Sequence, residues 1–215
     1  LAPAAKKRSA TVRKPVLKDF LTAKSLSIGL HQFMAIVRAS TITAFGTFLP
    51  LLLRERGVPL LWGSLCLSLL IALGSVSTLL GGYFYDRVNR KKLLFVSFSS
   101  SLPFLFLFLQ IQAAWSVAVL LVGSCILYLT LTVNLVMAQE LFPGREGTMA
   151  AMMIGVGWGT AGLLMTPMGL LAEAYSLTFA MKCMAGFQCL AIIASLLLPM
   201  KNYAPSVVDT AENIA

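Results

Sequence analysis

The sequence predicts an all-α membrane protein with six transmembrane helices, on three observations. From Leu93 to Gln139 there are 47 residues without an Asp, Glu, Lys, Arg or His. As a helix that stretch would be about 70 Å long against a hydrocarbon core of about 30 Å, so it crosses the bilayer twice. Hydrophobic residues make up 58% and charged residues 12% of the 215, and the mean hydropathy is +0.86, well outside the balance of soluble domains. The basic residues are gathered in short segments between apolar runs, the pattern that membrane topology produces. The net charge of +9 is therefore not a nucleic-acid footprint.

Six segments nearly free of charge mark the spans, at 27–53, 60–85, 93–111, 114–139, 148–172 and 176–199, each close to the roughly 20 residues that crossing requires. The third and fourth separate at Gln110–Trp115, where two amides and an interfacial Trp suit headgroup water. With an even number of spans, both termini lie on one side. Thirteen of the seventeen basic residues fall on that side, seven of them before the first span, against Arg54 and Arg56 on the other. By the positive-inside rule both termini are expected in the cytoplasm of a cell-membrane protein. Lys182, close to a span end, is expected to snorkel, whereas Arg38 has no such exit.

The domain reading is a basic linker at 1–24, a six-helix bundle at 25–200 and a tail at 201–215. The chain starts at Leu1, and its basic, Ala- and Pro-containing leader lacks the apolar core of a secretory signal. It reads as a connecting cytoplasmic loop, so half of a larger protein is expected. Cys66, Cys125, Cys183 and Cys189 lie in apolar stretches without a CxxC pair and read as small buried hydrophobes. No metal site or cofactor is expected, and no paired carboxylates, His cluster or nucleophile–base spacing points to an enzyme.

Within the spans, polar residues recur at helical spacing. The first carries His31, Met34, Arg38, Thr41 and Phe45 on one face, and the second Ser64, Ser68, Ser75, Thr78 and Gly82. The fourth presents Tyr128, Thr132 and Gln139, with Thr130 and Asn134 adjacent. The fifth is lined by Gly155, Gly159, Gly162, Thr166 and Gly169, a close-packing pattern. Past Ser101 the third is rich in Phe, with Phe104, Phe106 and Phe108 expected to face lipid. Arg38 stands out, because an arginine near mid-membrane costs at least about 2.5 kcal/mol on insertion scales and is retained where it meets a cavity or a partner. Arg38, Thr41, Tyr128, Thr132 and Asn134 are the polar side chains of the first and fourth spans singled out by this pattern. His31 is of the residue type that titrates near neutral pH, and no Asp or Glu lies well within a span.

After the second span the chain reads Gly82-Tyr83-Phe84-Tyr85-Asp86-Arg87-Val88-Asn89-Arg90-Lys91-Lys92. This resembles the signature loop of the major facilitator superfamily, G-x-x-x-D-R-x-G-R-R/K, matching at Gly82, Asp86, Arg87, Arg90 and Lys91. Asn89 replaces the second glycine and is the next residue most tolerant of a left-handed turn. Arg38 through Thr47-Phe48-Leu49-Pro50 at the end of the first span, and Ala138 to Arg145 after the fourth, are similar to the fosmidomycin-resistance branch of that superfamily.

The resemblance covers about residues 25–200. It implies one half, a 3+3 repeat, of a twelve-helix bundle whose N-terminal six helices are the partner. It further implies a secondary active transporter of a small organic solute, of the proton-coupled drug-efflux kind, working by alternating access. Its aspartate latches the cytoplasmic side through a neighbouring helix end, its first and fourth helices line the cavity, its second and fifth form the moving interface, and its third and sixth face lipid. On that resemblance Arg38, Thr41, Tyr128, Thr132 and Asn134 are the candidate substrate-binding residues, and the proton carrier is His31 or a carboxylate of the absent half. An importer of an organic anion or sugar and a non-transporting truncated scaffold remain as alternatives.

Overall fold

The computed structural model describes residues 24–113 and 115–199. The expected linker at 1–24, apart from the backbone of Lys24, and the tail at 201–215 lie outside them. The described residues form six helices: α1 (Lys24–Glu55), α2 (Leu60–Tyr85), α3 (Arg90–Gln110), α4 (Ser116–Glu140), α5 (Glu146–Ala174) and α6 (Leu177–Leu197). All six are long and apolar enough to cross a membrane. Helices are the natural solution there, because they satisfy the backbone within each segment.

The connections are short and chemically marked. Asn89 caps α3, its side-chain oxygen accepting from the Lys92 N–H at 3.1 Å, and Ser176 caps α6 through the Phe179 N–H. Asn89 has φ −56°, so the left-handed turn expected there is not formed. A side-chain cap is what asparagine supplies at this position and glycine does not. Positive φ occurs instead at Gly57 (80°) and Gly144 (87°), both in turns, where glycine carries no Cβ penalty.

The helix pairings have an internal symmetry. α1 packs chiefly on α5 and α6, as α4 packs on α2 and α3, while α3 and α6 meet each other. Exchanging α1–α3 with α4–α6 leaves this pattern unchanged. Because α1 and α4 enter the membrane from opposite faces, the two triplets form an inverted repeat.

Without water in the bilayer core, packing and polar contacts, rather than hydrophobic burial, hold such helices together. Along the α2–α4 seam, a Cβ on Gly74 would lie 2.6 Å from the Tyr128 ring and one on Gly81 only 2.5 Å from the Leu129 carbonyl oxygen. Between them the Thr132 hydroxyl donates to the Thr78 carbonyl at 2.8 Å. The seam thus uses Gly74, Thr78 and Gly81, whereas Ser64, Ser68 and Ser75 are exposed and bond back to their own helix. Between α3 and α6, the Gln188 amide donates to the Phe98 carbonyl (2.8 Å) and the Ser101 hydroxyl (2.6 Å).

Two further expectations are corrected. The Phe-rich half of α3 is not wholly lipid-facing: Phe108 is fully buried, with its ring centroid 6.3 Å from that of Phe45, and Phe104 covers Gly123 of α4. Of the four cysteines, Cys183 and Cys189 are exposed. Lipid solvates an apolar side chain as well as a core does, so apolar surroundings in sequence do not establish burial.

Candidate functional site

At mid-membrane, α1, α4 and α5 bring together Arg38, Tyr128 and Trp158, each near the midpoint of its helix. Arg38 and Tyr128 stand within electrostatic reach of one another. Arg38 is 5% exposed, and its Nε and Nη1 are buried without a hydrogen-bond partner among the described residues. It lines a cavity of about 80 Å³ together with Asn134, Met153, Ile154 and Trp158. An adjoining groove of about 480 Å³ is lined by Thr43, Gly46 and Thr47 of α1, Ile71 of α2, Tyr128 and Trp158. Every described acidic residue lies at a helix end or in a loop, so the unsatisfied guanidinium faces no intramembrane carboxylate among the described residues.

Of the expected site residues, Arg38, Tyr128 and Asn134 gather around these recesses. Thr41 does not: it is buried behind Tyr128 and donates back to the Val37 carbonyl at 2.9 Å. Thr132 is engaged in the α2–α4 seam. The His31–Arg38–Thr41–Phe45 stripe is the interior face of α1, all four being buried, and the groove opens over the neighbouring face at Thr43, Gly46 and Thr47. His31 and Asn134 pair with each other: the His31 ring Nδ1 shares a short bond of 2.5 Å with Asn134 Oδ1, and Asn134 Nδ2 donates to the His31 carbonyl at 3.0 Å. Since Oδ1 can only accept, Nδ1 carries the proton.

Trp158 was not among the expected site residues. Its signal is an aromatic ring between Gly157 and Gly159 in the middle of a span, far from the interface where Trp usually sits. Gly155, Gly159 and Gly162 are exposed, with nothing within 4 Å of where a Cβ would stand. Among the described residues they pack against nothing, whereas Gly157 is the glycine of α5 that approaches α1, at Ala35.

The signature loop divides in two. Arg90 and Lys91 fasten this bundle: the Arg90 guanidinium bonds Glu140 of α4 at 2.7 Å and lies over the Tyr85 ring at 4.2 Å, while Lys91 Nζ donates to the Leu198 carbonyl at the end of α6 (2.8 Å). Gly82 packs beside Thr132. Asp86 and Arg87 are exposed; Arg87 folds over its own helix, 3.8 Å from the Tyr83 ring centroid. The fastening within this bundle therefore runs through Arg90 and Glu140, not through the aspartate.

On the opposite membrane face, Arg56 does work that its position in a loop did not reveal. Its guanidinium donates to the carbonyls of Ile111 (3.0 Å), Phe108 (3.3 Å) and Leu109 (3.4 Å), closing the end of α3, where carbonyls lack intrahelical partners. Its partial burial lowers its pKa from the ordinary arginine value.

Six spanning helices in an inverted repeat around a polar midplane site define a multi-pass membrane protein of the transporter type. The family model for the Major Facilitator Superfamily matches residues 2–166, and the chain belongs to that superfamily. It is similar to an uncharacterized MFS-type transporter, YfnC, of Bacillus subtilis (strain 168), with 31% identity over 124 residues, which are 58% of this chain and 30% of that protein. It is also similar to the fosmidomycin resistance protein of Escherichia coli (strain K12), with 24% identity over 176 residues, 82% of this chain and 43% of that protein. The matched region spans less than half the length of either relative.

Proposed function

We propose that this chain is the C-terminal half of a secondary active transporter that carries a small organic anion by alternating access, with drug efflux of the fosmidomycin-resistance kind as its specific role. The reading rests on Arg38: a buried mid-membrane guanidinium with unsatisfied donors and no intramembrane carboxylate in its own bundle. Such a group is expected to have an anion close by, which comes from the substrate. Tyr128 and Trp158 flank the ligand, and Asn134 ties the pocket to His31, the candidate proton carrier. The similarity to the fosmidomycin resistance protein supports a phosphonate or related anion as substrate. Gly155, Gly159 and Gly162 would pack against the other six helices, which Asp86 would contact at the cytoplasmic surface. The excess of basic residues beside the termini supports cytoplasmic ends. The role is that of a carrier rather than an enzyme.

The test is fosmidomycin binding to the longest native form of the protein that carries these helices. Arg38→Ala is expected to weaken binding by about 2 kcal/mol or more, the scale of a lost charged contact. Arg38→Lys should restore part of it, since a point charge lacks the planar fork of guanidinium. If Arg38 instead pairs with a structural carboxylate of the other half, Arg38→Ala would lower the amount of folded protein and leave affinity unchanged in what survives. Flux direction in oriented vesicles separates efflux from import of an organic anion.

A further inference from the structure

On the membrane face away from the termini, the ends of α1 and α3 and the start of α6 enclose a polar recess of about 550 Å³, lined by Glu55, Arg56, Gln110, Gln112, Thr178 and Lys182. It is far along the bundle from Arg38 and shares no lining residue with the mid-membrane cavities. Its charges are arranged unusually. Arg56 is occupied by the carbonyls that end α3. Lys182 stands about 8 Å below the first residue of α6. Among the described residues it makes no ion pair, although Glu55 lines the same recess and also makes none. A cation and an anion that line one space without forming an ion pair make a footprint for a ligand that carries both charges.

The surroundings place that ligand in the bilayer. Trp62, Trp115, Tyr175 and Phe179 are all exposed on this face, the aromatic belt expected at headgroup level. Beneath Lys182, at seven, eleven and fourteen residues along the same stripe of α6, stand Cys189, Ile193 and Leu196, all exposed. Acyl chains fit that stripe, and the recess above it is where the headgroup would sit.

We propose that this recess binds a phospholipid with a zwitterionic, primary-amine headgroup, its phosphate on Lys182 and Thr178 and its ammonium on Glu55 and Gln110. The carboxylate then discriminates among lipids. A phosphatidylethanolamine ammonium donates hydrogen bonds to Glu55, a phosphatidylcholine head has no N–H to donate, and a phosphatidylglycerol head brings no cation.

The test is native mass spectrometry of the full 215-residue chain in detergent with phosphatidylethanolamine, phosphatidylcholine and phosphatidylglycerol of matched acyl chains. One phosphatidylethanolamine per chain is expected to be retained, preferred about tenfold over phosphatidylcholine, the scale of one charge-assisted hydrogen bond. Lys182→Met should cut retention about tenfold and Lys182→Arg should restore it. Glu55→Gln should leave phosphate-dependent retention but make the ethanolamine and choline lipids equal. Thermal unfolding confirms that each variant is folded. Equal retention of the three lipids, or a preference untouched by both Lys182→Met and Glu55→Gln, overturns the proposal. Displacement of the lipid by equimolar glycerophosphoethanolamine would overturn the assignment to a membrane lipid in favour of a soluble zwitterion.

Discussion

His31 and Asn134, 103 residues apart in the chain, exchange two hydrogen bonds across the α1–α4 contact, ring nitrogen with amide oxygen and amide nitrogen with backbone carbonyl. Both residues are buried, and Asn134 also lines the Arg38 cavity. The pair is therefore both a fastening between the two inverted triplets and a physical link from a titratable ring to the midplane site.

Replacing Asn134 by Leu removes the amide oxygen paired with the His31 ring Nδ1 and the amide donor to the His31 carbonyl, in a water-poor interior. Thermal unfolding of the purified chain should show a loss of about 1–2 kcal/mol, the upper range for polar contacts between membrane helices. The double variant His31→Leu/Asn134→Leu should recover part of that loss, because both partners are then removed together. Equal stability of Asn134→Leu and the native chain would show that the pair carries no fastening energy.

The Arg90–Glu140 pair joins the start of α3 to the end of α4 with side chains that are 9% and 27% exposed. Glu140→Gln should destabilise by about 2 kcal/mol, as expected for a hydrogen bond to a charged group that is largely shielded from water. Exchanging the two charges, Arg90→Glu with Glu140→Arg, should restore about half. Urea-induced unfolding of the two single variants and the exchange would measure the coupling.

Gly81 and Gly159 make opposite predictions for the same substitution. A Cβ at Gly81 would press on the Leu129 backbone oxygen at 2.5 Å, an atom that cannot move without shifting α4, so Gly81→Ala should destabilise by about 1–3 kcal/mol. Gly159→Ala meets nothing within 4 Å and should leave stability within about 0.5 kcal/mol. If α5 packs on a second bundle, Gly159→Ala should nonetheless slow transport by the longer protein.

Asp86 is exposed and forms no salt bridge among the described residues. Asp86→Asn should therefore change stability by no more than about 0.5 kcal/mol while impairing transport, provided that its partner is on the other half. The comparison to make is membrane level, by immunoblot, against flux. Normal flux from a well-expressed variant would remove the latch role.

The sequence alone determined the elements that depend on membrane thickness and charge. Runs nearly free of charge set six spans whose ends agree with the helices within a few residues, and the signature loop marked the junction of α2 and α3. Arg38 was legible because an intramembrane cation is costly wherever it points. What only the tertiary structure decided is the rotation of each helix. In lipid, the outward and inward faces of a helix are both apolar, so the alternation that reveals the core of a soluble protein is weak here. Close contacts set the rotation instead: Gly81 against Leu129, Thr132 on Thr78 and Asn134 on His31. Those contacts turned Thr41 and Thr132 away from the groove, brought Trp158 into it and buried Phe108. They also joined Arg90 to Glu140, a partnership across 50 residues that no local spacing encodes.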